Sequence, residues 1–163
     1  MGSRSKLTAA ALAMIAAGAA ALAVASAART RGGDGLVRQA TPAKVLAEHL
    51  DALNRCDLKR LMAQYPPDVQ LHFSDGQVVV GRPAVRKLFV GFVKPPSQGG
   101  LCGLKFTTER SLKVGGTFAV QYRVTAPFLR KTYRGSDAYI TRNGLMASQV
   151  STFRASDLKM KQG

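Results

Sequence analysis

Apolar positions recur at helical spacing three times between Val45 and Phe92. Leu46, His49, Leu50 and Leu53 fall at i, i+3, i+4 and i+7; Leu58, Leu61, Met62 and Tyr65 repeat that spacing, and so do Val85, Leu88, Phe89 and Phe92. The pattern predicts three amphipathic helices in succession. Thr41 is the candidate N-cap of the first, with Pro42 at its first helical position, and this helix ends near Asn54. Asp57 can cap the second, which stops at Tyr65-Pro66-Pro67 because proline lacks an amide donor and restricts the residue before it. The third opens at Gly81-Arg82-Pro83, with Pro83 at its first helical position.

Elsewhere the period changes to two. Val69, Leu71 and Phe73 alternate with Gln70 and His72, and the turn Ser74-Asp75-Gly76 leads to a short strand from Gln77 to Val80. After the loop Lys94 to Gly100, four strands are predicted: Leu101 to Leu112, Thr117 to Thr125, about Arg130 to Thr141, and Leu145 to Phe153 after Asn143-Gly144. In the second of these, Phe118, Val120, Tyr122 and Val124 share one face. Helices first and a long antiparallel meander afterwards predict an α+β fold with the helices on one face of the sheet.

The N-terminus reads as an address. Arg4 and Lys6 precede an uncharged run over residues 7–25, and Ala25-Ser26-Ala27 fits a signal peptidase site that leaves Ala28 first. The run also reaches the lower length limit of a membrane span, so an uncleaved anchor is the alternative. The organisation read is therefore 1–27 signal peptide or anchor, 28–40 disordered basic tether, 41–154 folded domain, and 155–163 polar, frayed tail. Export is expected, to a periplasmic or extracellular location.

Export changes how Cys56 and Cys102 are read, since two cysteines in an oxidising compartment commonly pair; two buried thiols or a catalytic thiol are the rival readings. The net charge is +15. Such a surface favours anionic partners such as an envelope polymer, or is simply basic and soluble. Nucleic acid is disfavoured, because the basic residues are scattered without a recognition motif. No metal or cofactor is expected: the two histidines have no carboxylate at ligand spacing, and Gly99-Gly100 and Gly115-Gly116 read as turns rather than phosphate cradles.

His49 is the odd member of the first helical stripe, a titratable group among leucines. It reads either as a satisfied core residue or as an acid or base. Asp137 reads either as an ion-pair partner of Lys131 or Arg134, or as an acid in a site.

Several runs carry a resemblance. Leu53-Asn54-Arg55-Cys56-Asp57-Leu58, Tyr65-Pro66-Pro67-Asp68-Val69, Asp75-Gly76, Gly81-Arg82-Pro83-Ala84-Val85, Asp137-Ala138-Tyr139 and Asn143-Gly144 resemble the nuclear transport factor 2-like superfamily, nearest its SnoaL-like polyketide cyclases and ketosteroid isomerases. The resemblance covers about residues 42–153. It implies three N-terminal helices packed on a strongly curved, mainly antiparallel sheet, a cone-shaped, cystatin-like roll around an apolar pocket. By motif spacing His49 stands where a ketosteroid isomerase has its oxyanion-hole tyrosine, and Asp137 where it has its oxyanion-hole acid. Phe73 stands at the position of the proton-shuttling base and cannot move a proton. His72 or Asp75 substitutes only if the hairpin turns one inward. The resemblance further implies that His49 and Asp137 face one cavity, walled by Leu53, Phe73, Phe89, Phe92, Phe118, Val120 and Tyr122, with polar contacts from Tyr133, Tyr139 and Gln149. Two functions stay open: a pocket that binds and isomerises, cyclises or dehydrates a hydrophobic small molecule, or a non-catalytic ligand-binding or envelope-scaffold module. The resemblance also implies the outer sheet face as the surface for a homodimer, an oligomeric state that the sequence itself leaves open.

Overall fold

A computed structural model describes residues 35–161. Helix α1 (Pro42–Asn54) starts at the expected cap, where the Thr41 side chain accepts from the Lys44 amide. It buries Val45, Leu46, His49, Ala52 and Leu53. Helix α2 (Leu58–Met62) is capped by Asp57 and stops three residues before Tyr65, whose ring nevertheless remains in the core. Helix α3 (Arg82–Phe92) begins one residue earlier than predicted, so that Pro83 is its second residue. Gly81 causes the shift. Its φ of 86° turns the chain while its amide bonds to the Val69 carbonyl, which leaves Arg82 to open the helix.

The strands are β1 (Gln70–Phe73), β2 (Val78–Val80), β3 (Lys105–Val114), β4 (Thr117–Thr125), β5 (Tyr133–Arg142) and β6 (Leu145–Ser151). They form one sheet in the order β2-β1-β6-β5-β4-β3, in which only the β1–β6 pair is parallel. The fold is the expected α+β arrangement, three helices on a mixed, mainly antiparallel, open sheet. Helix α1 crosses the concave face and touches β3, β5 and β6. The alternation in β4 is as predicted: Phe118, Val120, Tyr122 and Val124 are buried and Ala119, Gln121, Arg123 and Thr125 are exposed.

Other boundaries also differ from the sequence reading, three of them for a clear local reason. Strand β3 starts at Lys105, not Leu101, because residues 101–104 form a turn held by the Cys56–Cys102 disulfide and by amide bonds from Leu101 to Phe92 and from Cys102 to Lys94. Ordered chain begins before Thr41: Leu36 is buried, the Val37 amide bonds to Ala63, and Gln39 bonds to Gly144. The tail is not frayed through its described length. Leu158 is buried and packs in the core, and the Arg130 amide bonds to the Lys159 carbonyl at 2.7 Å. The signal or anchor segment lies outside the described residues, among which no helix is long and apolar enough to cross a membrane.

Candidate active site

The concave face brings together the polar residues that the sequence scatters. Asp137 on β5 is only 6% exposed and receives five hydrogen bonds: from the hydroxyls of Tyr122 (3.1 Å), Tyr139 (3.1 Å) and Ser151 (2.9 Å), from Gln149 Nε2 (2.9 Å) and from the Thr152 amide (3.1 Å). Strand register explains the gathering. Asp137 pairs with Val120 on one side and Ser151 on the other, while Tyr139 pairs with Gln149, so adjacent inward positions of three strands point at one carboxylate. Gly135 makes room for the cluster, since a Cβ there would come within 2.5 Å of the Tyr122 hydroxyl.

No ion pair forms at Asp137 among the described residues; Arg134 turns instead to Glu109. Burial pushes the Asp137 carboxyl up, and the hydrogen bonds from Ser151, Gln149, Thr152 and Tyr139 pull it back. Burial next to this carboxylate also raises the Tyr139 and Tyr122 hydroxyls, which stay protonated as donors.

His49, 1% exposed, stands on α1 above the cluster. Its Nδ1 lies 3.3 Å from the Tyr65 hydroxyl, and its ring is 5.4 Å from that of Tyr139 and 6.4 Å from that of Phe89. Burial lowers its pKa to about 4, so the ring is a neutral imidazole at pH 7. No hydrogen bond joins His49 directly to Asp137. Both line one cavity of about 60 Å³, with Leu53, Leu71, Phe73, Leu88, Phe89, Phe92, Phe106, Tyr139, Gln149, Ser151 and Phe153.

Of the expected wall, Leu53, Phe73, Phe89, Phe92, Tyr139 and Gln149 line this cavity, while Phe118, Val120, Tyr122 and Tyr133 do not. Phe118 and Val120 pack in the core beneath it. Tyr122 reaches the site through Asp137 and through its ring contact with Phe106 (5.5 Å), while the Tyr133 ring meets Phe153 edge to face and its hydroxyl donates to the Thr152 carbonyl. The sequence reading missed Leu71, Leu88, Phe106, Ser151 and Phe153 as lining residues. Leu71 and Leu88 were legible as inward positions of their elements, but nothing in the sequence distinguished Ser151 from other strand serines.

Phe73, Leu88, Phe92 and Phe153 also line an open vestibule of about 500 Å³, together with residues that include Asp75, Gln77, Leu101 and Arg154. Of the substitute bases, Asp75 sits at this rim, accepting from the Gln77 amide, and His72 points to the outer face beside Gln70. Neither reaches the inner cavity.

A mixed sheet curved around a helix, with a polar cluster at the foot of an aromatic cavity, defines the cone-shaped pocket folds. The chain belongs to the SnoaL-like domain family, which it matches over residues 46–159, within the nuclear transport factor 2-like superfamily. No curated protein sequence matches it. It is similar in structure to a cystatin-fold protein from Novosphingobium aromaticivorans (14% identity, covering 71% of this chain and 100% of that one, TM-score 0.58). It is also similar to a protein provisionally assigned as a ketosteroid isomerase from Kribbella flavida (16%, 75% and 78%, TM-score 0.56). A third similar structure is TerC co-crystallised with polyporic acid (16%, 71% and 92%, TM-score 0.56). At these identities the likeness is one of fold.

Proposed function

We propose that this SnoaL-like domain is exported and binds a hydrophobic small molecule, with the body of the ligand in the vestibule and its polar end in the inner cavity. The observation that carries the reading is that the two spaces adjoin, sharing Phe73, Leu88, Phe92 and Phe153 as lining residues. The inner cavity alone holds a few waters or a ligand head, whereas small-molecule sites occupy several hundred Å³, as the vestibule does. Polyporic acid in TerC is a molecule of the class proposed. Where turnover occurs, it is isomerisation, cyclisation or dehydration, with His49 as the acid or base and Asp137 as the orienting partner. An independent observation favours a second reading, binding without turnover: Asp137 is fully engaged as an acceptor and Phe73 cannot shuttle a proton.

Naphthalene tests the reading without presuming a substrate. Its titration into the mature domain should shift the NMR signals of His49, Leu53 and Phe89 with a saturable curve, and signals that do not move would overturn it. To separate turnover from binding, the His49 ring is followed across pH in wild type and in Asp137→Asn, on a His72→Gln background. A downward shift on losing the carboxylate supports the shared acid–base site; an indifferent titration supports the binding module.

We further propose that the outer sheet face seats a second copy of the chain. Two rows cross all six strands there: Val78, His72, Val150, Ala138, Ala119 and Leu112, and beside it Val80, Gln70, Ser148, Ile140, Thr117 and Val114. In a chain of net charge +15, neither row holds a lysine or arginine.

A further inference from the structure

Two polar atoms on residues that line the inner cavity lack partners among the described residues, and they are of opposite kind. Gln149 is 8% exposed, and its Oε1 is buried without a hydrogen bond. The orientation of its amide is fixed by Asp137, because only the NH2 side can face a carboxylate, and Nε2 does so at 2.9 Å. Oε1 is therefore an acceptor with no donor among the described residues. A buried amide oxygen left so costs on the order of 1–3 kcal/mol.

The second atom is Nε2 of His49. The Tyr65 hydroxyl is fully buried, and its one partner among the described residues is His49 Nδ1 at 3.3 Å. Were the proton on Nδ1, the hydroxyl proton of Tyr65 would have no acceptor; with the proton on Nε2, Tyr65 donates to Nδ1 and is satisfied. His49 is thus held as the tautomer whose Nε2–H is free, since that nitrogen makes no hydrogen bond to a described residue. Both residues line the same cavity.

We infer that the inner cavity selects a hydroxyl, the phenolic or enolic end of an aromatic or polycyclic ligand, which donates to Gln149 Oε1 and accepts from His49 Nε2–H. The inference rests on the pocket reading above and sharpens it. A ketone or ether oxygen only accepts, so it leaves Gln149 Oε1 unmatched. A protonated amine only donates, so it opposes the His49 N–H, and both oxygens of Asp137 already carry their hydrogen bonds. A hydroxyl is the group that can donate to the one and accept from the other. The surrounding phenylalanines supply the apolar contact for the ring that bears it.

Three probes of one shape test this: 2-naphthol, 2-methoxynaphthalene and naphthalene, titrated into the mature domain by calorimetry. The expected result is that 2-naphthol binds at least tenfold more tightly than the methyl ether, because a site with unpaired polar groups penalises the analogue that cannot fill them. Gln149→Met should bring the affinities for the naphthol and its ether together. Equal affinities for naphthol and its ether in the wild-type protein would overturn the inference and leave the pocket reading standing, whether or not the variant folds. Failure of all three to bind would overturn the pocket reading itself, and the inference with it. In 15N spectra of the His72→Gln protein, His49 should appear neutral with its proton on Nε2, and a proton on Nδ1 would also overturn the inference.

Discussion

A histidine held neutral by burial leaves a signature in stability. The His49 pKa is about 4 in the fold against 6.5 in the open chain. Above pH 6.5 both states are neutral and the residue adds no pH dependence. As pH falls from 6.5 towards 4 the unfolded chain takes up a proton that the folded chain refuses, so stability drops by about 1.4 kcal/mol per pH unit, about 3 kcal/mol in all. Asp137 acts in the opposite sense. Its folded pKa is raised, so its contribution is present below the ordinary carboxylate value and is lost as pH rises through the folded value. Tyr65 and Tyr139, the other titratable groups packed on His49, have their hydroxyls pushed up by burial and keep their protons throughout this range. Urea unfolding at pH 7 and pH 4.5, on a His72→Gln background, should therefore show a smaller loss of stability in His49→Gln than in the wild type. Equal losses would mean that the ring takes up its proton without hindrance in the fold.

Between residue and domain, two cross-links set the cavity walls. The Cys56–Cys102 disulfide ties the end of α1 to the turn before β3, and Asn54 bonds both sides of Phe106, donating to its carbonyl at 3.0 Å and accepting from its amide at 2.7 Å. Phe106 lines the cavity, so these bonds position a wall as well as a strand. The bridge closes a loop of 46 residues and, on the chain-entropy account, stabilises the fold by about 4 kcal/mol. Protein recovered after export, unfolded without reductant, should show no free thiol and should begin at or near Ala28. Cys56→Ser with Cys102→Ser should lower the urea midpoint markedly. Two titratable thiols, or an unchanged midpoint, would contradict this.

On the scale of the whole molecule, the same alternation gives the two faces of the sheet different characters. The concave face carries the cavity, and the convex face carries rows without lysine or arginine in which Val80, Leu112 and Val114 are 60%, 65% and 68% exposed. A stable interface buries about 800 Å² on each partner, an area that a patch spanning six strands can supply. Sedimentation at tens of micromolar should give a dimer for the wild type and a monomer for Val150→Arg, which places a charge at the middle of the first row. A wild-type monomer would remove the proposal, and so would a dimer that ignores the substitution.

Much of this architecture was legible in the chain, because local periodicity and capping chemistry act over a few residues. The stripe of α1, the caps at Thr41 and Asp57 and the alternation of β4 are all present in the sequence itself. His49 was legible as a buried polar residue because its position in a leucine stripe allowed no other placement. What tertiary structure decided is the company each residue keeps. Asp137 stands near Lys131 and Arg134 in sequence, yet strand pairing hands it to Tyr122, Gln149 and Ser151. Phe118, Val120, Tyr122 and Tyr133 have the right chemistry for the cavity but sit beneath or beside it, because curvature and strand register choose which inward residues meet the open space. Leu158 lies in a polar tail and is held in the core by a bridge between Leu129 and Met160. Residues a few positions apart report their own helix or strand, but which strands adjoin is set by burying the whole apolar surface at once, and that sum is not written in any one stretch of the chain.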